Sequence, residues 1–333
     1  MSRSQAAMAA PLEKALQNGA PQLRVERITS VERFTSGLSS QSYCVKAETA
    51  DGPARWVMRV EPEHGVIPPY DIGREYRLMA DVGERGLPVP GVLHLEEDAS
   101  VVGGRFMLMS YVEGEVYRSM DPRLDADPKL LADMQEQFVE MLARIHETEQ
   151  GVLPGYADGR EAARAEIAVC RRRLAATELL PTPIIRHALD VLDRHAPPAQ
   201  RLALLHGDYR LPNLKWHEGR ISGILDWELA RVGDPLSDLA FTQTIGHGPC
   251  SIDGELARRY GERTGIEVEP RRITYFRLLE MVKGSIIGLA GAYDLVHGGD
   301  DLRLLSVATI ATSGQAIMGL MERQLEEFLE ADR

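Results

Sequence analysis

Cysteine is scarce in this chain: three residues in 333, Cys44, Cys170 and Cys250. Their odd number and wide spacing exclude a disulfide framework and a zinc motif built on cysteine pairs. Reduced, buried or half-buried thiols are expected instead. No run of about eighteen apolar residues occurs, so no membrane-spanning helix is predicted. The nearest candidate, GSIIGLAGAY at 284–293, is too short and reads as a buried core helix. No secretory leader is expected either, because Glu13 and Lys14 interrupt the Ala-rich opening before an apolar stretch can form. Positive charge is in deficit, with 38 Lys and Arg against 50 Asp and Glu and a net charge of -12. Phosphate backbones are held by clustered cations, so this balance argues against a general nucleic-acid binder. It leaves room for a nucleotide, which needs only a local cation or a metal. A soluble, cytoplasmic protein with an acidic surface and no membrane partner is the expectation.

What is present has a clear order. After a lead-in over residues 1–22, the chain is strand-rich as far as Tyr111. QLRVERI and VERFTS alternate apolar and polar residues, as a half-buried strand does. QSYCVKAET and ARWVMRVEP follow, separated by Asp51-Gly52, a hairpin signal. In DIGREYRLMADVGERG, the apolar residues Ile72, Tyr76, Met79 and Val82 recur at helical spacing and Gly86 is a stop. GVLHLEED and GRFMLMSYV add two strands. Glu113-Gly114 is a connector, after which the sequence turns helical. LLADMQEQFVEMLARIHETE carries Leu131, Met134, Phe138, Met141, Leu142 and Ile145 on one face. Further helices are expected over 160–176, 183–195, 271–296 and 301–330.

The most informative stretch is LLHGDYRLPNLKWHEGRISGILDWELARVGDPLSDLA, residues 204–240. It places Asp208, Asn213, Asp226, Glu228, Asp234 and Asp238 beside short apolar strands. Two readings compete: an acidic surface loop, or oxygens that hold a metal ion and a proton-transfer site. A zinc or metallophosphatase cluster is disfavoured, because His187, His195, His217 and His247 lack the spacing it requires.

The order β-β-β-α-β-β, connector, helix, His-Gly-Asp-x-x-x-x-Asn and Leu-Asp-Trp resembles the protein-kinase-like fold. More narrowly, the chain looks like the aminoglycoside phosphotransferase and choline kinase branch. LLHGDYRLPNL and GILDWELARVGDPLSDLA are most similar to the kinase-like domains found next to, or fused to, acyl-CoA dehydrogenases. The resemblance spans residues 25–325. It implies an α+β, bilobal architecture. Residues 23–112 would form a nucleotide-binding N-lobe, an antiparallel sheet with one helix, and 113–333 a mainly helical catalytic and substrate-binding C-lobe. ATP and Mg²⁺ are the implied cofactors, and a small hydroxylated molecule the implied acceptor.

Phosphoryl transfer needs positioning and charge neutralisation more than covalent help. Asp208 would accept the proton of an acceptor hydroxyl or hold that hydroxyl in line. Asn213, five residues on, matches the kinase pattern, and its amide oxygen would bind Mg²⁺ together with Asp226. His206 is expected to orient the loop, and Gly207 to permit a tight turn. Arg210 would pair with a phosphate or a carboxylate. Glu228 stays open between a second metal or substrate contact and a structural hydrogen bond. Asp234 and Asp238 read as structural, with Asp238 an N-cap or a clamp on the loop. Upstream, Ser36, Gly37, Ser39 and Ser40 would cover phosphates with backbone N–H groups and hydroxyls. The loop lacks the GxGxxG of protein kinases. Arg59 stands where kinases carry lysine. It keeps the charge with a different geometry, and Glu75 would pair with it. Ser110 to Glu113, with Val112 among them, would line the adenine through backbone groups.

A protein kinase is disfavoured, because no Ala-Pro-Glu segment and no long activation loop follow Asp226. The expected activity is transfer of the ATP γ-phosphate to a hydroxyl of a small metabolite, with a hydroxyacyl-CoA favoured as acceptor. The alternatives are an aminoglycoside O-phosphotransferase and a non-catalytic nucleotide- or CoA-binding pseudokinase.

Overall fold

A computed structural model describes residues 5–34, 41–62, 65–179, 181–246, 248–299, 301–305 and 314–330. The chain divides into two compact units, Met1–Glu113 and Gly114–Arg333.

The first unit is built on a five-stranded sheet of β1 (Val25–Arg33), β2 (Gln41–Thr49), β3 (Gly52–Val60), β4 (Val92–Glu96) and β5 (Phe106–Ser110). Its order is β1-β2-β3-β5-β4, and every neighbouring pair is antiparallel. The lead-in forms a helix, α1 (Gln5–Gly19), so this unit holds a second helix besides the one read from periodicity. Met8, Leu12 and Leu16 recur at four-residue spacing and enter the same buried cluster as Tyr43, Val45, Met58 and Val60. Burial of each such side chain stabilises by roughly 1.5–3 kcal/mol. Glu13 Oε2 also accepts from the Ile28 amide at 2.8 Å, tying α1 to β1.

Strand periodicity then decides where Arg59 goes. Met58 and Val60 belong to the α1-side cluster, so a period of two turns Arg59 to the opposite face of β3. Helix α2 (Ile72–Glu84) starts where the Asp71 carboxylate accepts from the Arg74 amide at 2.9 Å. Ile72, Gly73, Glu75, Leu78, Met79 and Val82 are its buried positions, so Glu75 shares the inward face with apolar residues.

The second unit contains α3 (Pro122–Ala126), α4 (Pro128–Glu147), α5 (Gly159–Thr177), α6 (Pro183–Arg194), α7 (Leu236–Thr244), α8 (Gly254–Thr264), α9 (Pro270–Val296) and α10 (Gly314–Glu330). Residues 284–293 lie inside α9, and no described helix is long and apolar enough to cross a membrane. Two small antiparallel ladders sit among these helices. β6 (Ala203–Leu205) pairs with β9 (Arg231–Gly233), and β7 (Leu214–His217) with β8 (Arg220–Ile224). The intervening loop is therefore held at both ends, by Leu204 opposite Val232 and by Leu214 opposite Ile224.

Candidate active site

The loop between β6 and β7 carries the residues His206, Gly207, Asp208, Arg210 and Asn213. Gly207 has φ +81°, and a Cβ there would lie 2.4 Å from the Leu229 carbonyl oxygen. Only glycine meets both demands. The turn brings the His206 and Gly207 amides onto one carboxylate: His206 N–H donates to Asp238 Oδ2 at 2.8 Å and Gly207 N–H to Oδ1 at 2.9 Å. The His206 ring is buried, and its Nε2–H donates to the Leu225 carbonyl at 2.9 Å. That leaves Nδ1 to accept the Asp208 amide at 3.2 Å. Burial lowers the pKa of His206 against the pull of Asp238, so the ring is neutral and orients the backbone. Tyr209 turns inward, packs against Phe138 with the rings tilted, and donates its hydroxyl to the Phe138 carbonyl at 2.8 Å.

With its neighbours pinned, Asp208 presents a carboxylate whose side chain is 13% exposed. Asn213 Nδ2 donates to Asp208 Oδ2 at 2.7 Å and to its carbonyl at 2.9 Å. The amide oxygen is therefore the atom that Asn213 can offer a cation. Arg210 lies alongside, with Nε 2.8 Å from Oδ1 and Nη2 3.2 Å from Oδ2. Its partner in this state is thus a carboxylate. Burial raises the pKa of Asp208 most, Arg210 opposes it, and the charge of Asp226 adds to the rise.

Asp226 follows β8 at φ +68°, a conformation uncommon for residues other than glycine. Its charge acts on both Asp208 and His206. One carboxylate and one amide oxygen form a hard donor set that suits Mg²⁺, which keeps several waters and takes few protein ligands. Glu228 is half-buried in the short turn Trp227–Leu229.

The two downstream aspartates separate. Asp234 Oδ1 accepts from the Leu236 amide at 3.0 Å, and its other oxygen is held by Arg272. Asp238 lies within the first turn of α7, fully buried, so the clamp rather than the N-cap describes its geometry.

In the first unit, Arg59 Nη1 lies 3.2 Å from Glu75 Oε1, and the two side chains are 6% and 5% exposed. Such a pair requires both members: removing one strands a buried charge. Ser110 is tied to Gly91 by its amide and its hydroxyl, each at 2.8 Å. Val112 follows in the irregular segment after β5. Ser36, Gly37, Ser39 and Ser40 lie outside the described residues.

Two assemblies escaped the sequence reading. The first is a buried cluster in which Lys283 Nζ lies 3.1 Å from Glu166 and 3.0 Å from Glu280, with Arg231 3.4 Å from Glu280. The second is a buried chain in which His146 links the Tyr260 hydroxyl to Asp238. Its one local signal is a histidine four residues after Leu142 on an apolar helix face.

Comparisons with known proteins address the family and the fold. The sequence model of the phosphotransferase enzyme family matches residues 30–274. The mouse protein named acyl-CoA dehydrogenase family member 10 is 32% identical over 226 residues, covering 66% of this chain and 21% of that protein. The chain thus spans about a fifth of this relative's length. Among solved structures, a Ralstonia eutropha protein provisionally described as an aminoglycoside phosphotransferase superposes with TM-score 0.70 at 23% identity, covering 96% of this chain and 98% of that one. Aminoglycoside phosphotransferase APH(4)-Ia, solved as a thermostable mutant with AMP-PNP and hygromycin B, gives TM-score 0.61 at 20% identity, covering 95% and 99%. The fold is kinase-like, an antiparallel sheet unit followed by a helical one.

Proposed function

The chain belongs to the phosphotransferase enzyme family, and from that premise we propose that it transfers the γ-phosphate of ATP to a hydroxyl of a small metabolite. The observation that carries this reading is the loop itself: Asp208 fixed between Arg210 and Asn213, with Asp226 close enough to act on its charge. In the reaction, the acceptor oxygen forms a bond to the γ-phosphorus as its proton passes to the Asp208 carboxylate. The bond from the γ-phosphorus to the β–γ bridging oxygen breaks, and ADP leaves. Asn213 holds Asp208 in orientation through Nδ2, and Arg210 supplies the adjacent positive charge. Mg²⁺, when bound, would supply charge neutralisation at the phosphates, held by the Asn213 amide oxygen and Asp226. Arg59, fixed by Glu75, would contact the α- and β-phosphates; a guanidinium keeps the charge of the usual lysine in a planar, forked geometry. ATP is favoured as donor because a fold neighbour was solved with AMP-PNP.

A hydroxyacyl-CoA is the favoured acceptor. The named relative is an acyl-CoA dehydrogenase family member. An aminoglycoside is the second reading, because a fold neighbour was solved with hygromycin B.

The test is transfer from Mg-[γ-³²P]ATP to hydroxyacyl-CoAs and, in parallel, to hygromycin B and kanamycin, by wild type and Asp208→Ala. Label on a hydroxyacyl-CoA that disappears in the variant is expected. Label on the aminoglycosides alone reverses the acceptor order. Binding of Mg-ATP without transfer to any acceptor leaves a non-catalytic nucleotide- or CoA-binding protein.

A further inference from the structure

We propose that Lys215 is a nucleotide-binding residue of this chain, and that its ammonium group donates to the ribose hydroxyls of the phosphate donor. The proposal rests on the reading of the Asp208 loop as part of a nucleotide site.

Lys215 is the second residue of β7 and stands two positions after Asn213. Its neighbours Leu214 and Trp216 are 0% and 3% exposed. A period of two therefore turns Lys215 to the other face of the strand, where it is half-buried. Its partner across the ladder is Gly223, which brings no side chain over the lysine stem. The ladder itself is made by main-chain groups and asks nothing of this side chain.

The ammonium group reaches the connector. Lys215 Nζ donates to the Gly114 carbonyl at 2.9 Å. That stretch is already fixed on β7 by other means. Glu115 and Trp216 exchange both main-chain hydrogen bonds at 2.9 Å. Gly114 has φ +122°, and a Cβ there would lie 2.6 Å from the Trp216 carbonyl oxygen. Two backbone bonds and a close approach hold the connector, so a lysine is not needed for that alone.

The position of Lys215 along the chain says what else it serves. Gly114 directly follows Ser110–Glu113, whose backbone is read as lining the base. Asn213 is read as a ligand to the metal at the phosphates. In a nucleotide the sugar lies between these two ends. A side chain that starts two residues from the phosphate end and finishes at the carbonyl next to the base end runs along the sugar. An ammonium group has three donors, of which the Gly114 carbonyl takes one. Ribose hydroxyl oxygens accept from such a group.

The test is calorimetric binding of Mg-ATP and of Mg-2′,3′-dideoxy-ATP to the full chain, for wild type and Lys215→Met. Methionine keeps the length of the stem without the ammonium. Wild type is expected to bind ATP about tenfold more tightly than the dideoxy analogue, the scale of a hydrogen bond from a charged group. Lys215→Met should bind the two within about twofold of each other. A lysine that only holds the connector would weaken both nucleotides by the same factor and leave their ratio unchanged, and that result overturns the proposal. Equal binding of the two by wild type overturns it as well, and this comparison stands even if Lys215→Met does not fold. In both of these cases ATP still binds, so the nucleotide reading of the loop survives. Wild type that binds neither nucleotide overturns both. Binding with the expected preference but without phosphate transfer to any acceptor leaves the role of Lys215 in place while the phosphotransfer reading fails.

Discussion

Asp208 on the loop and Asp238 on the first turn of α7 are joined through two backbone amides, yet their surroundings push them in opposite directions. For Asp238, burial alone would raise the pKa, but the hydrogen bond from His146 and the charge of Arg231 hold it at about 2. For Asp208, burial raises the pKa, Asp226 adds to the rise, and Arg210, His206 and Asn213 do not offset the sum. One carboxylate has its charge fully answered within the protein. For the other, burial and the like charge of Asp226 outweigh the ion pair with Arg210 and the hydrogen bond from Asn213. A satisfied carboxylate stabilises a fold; an under-compensated one in a fixed geometry is suited to act on a ligand.

The largest effect that sharpens this contrast is on activity. Asp208→Ala should lower phosphoryl transfer by roughly 10²–10⁴-fold, the usual contribution of a general base, read as ADP release from Mg-ATP with acceptor. Next comes Asp238→Ala, which should cost about 3–5 kcal/mol in urea unfolding at neutral pH, because a buried charge network loses its anion. A loss below about 1 kcal/mol, the scale of an exposed pair, would break the comparison.

Acid titration has a defined sign. The depressed pKa of Asp238 contributes stability that is present above the ordinary carboxylate pKa of about 4 and is lost as pH falls through about 2. This contribution is about 2 kcal/mol. It should vanish from the stability–pH profile of Asp238→Asn. Asp208 has the opposite sign, since a raised folded pKa removes stability as pH rises above the ordinary carboxylate range. The smallest effect follows: Asp208→Asn should raise stability at neutral pH by about 0.5–1 kcal/mol, the scale on which active-site polar groups are exchanged for stability.

Local patterns made much of this legible. The five-residue step from Asp208 to Asn213 and the glycine before Asp208 are contiguous features, and the strands on either side fix them. The pairing of Arg59 with Glu75 was legible only through the family resemblance, which implies a cation on the third strand and an acid on the helix that follows. The boundary of α7 was less legible. The helix begins at Leu236, so Asp234 rather than Asp238 takes the helix-start amide. His146 was not legible in its role, because its partners Asp238 and Tyr260 are 92 and 114 residues away. The same holds for Glu166 and Lys283 on α5 and α9, which meet only when these helices pack. Contacts of that range arise from tertiary structure and leave at most a polar residue on an apolar face as a local trace.

The central claim is that Asp208 serves the reaction and not the fold. Its most direct test is the urea midpoint of Asp208→Asn against wild type at neutral pH in metal-free buffer, on preparations whose ADP release has also been measured. The expected result is a midpoint equal to or above that of wild type in a variant whose release has fallen at least about a hundredfold. A midpoint clearly below wild type, or ADP release that survives the substitution, contradicts it.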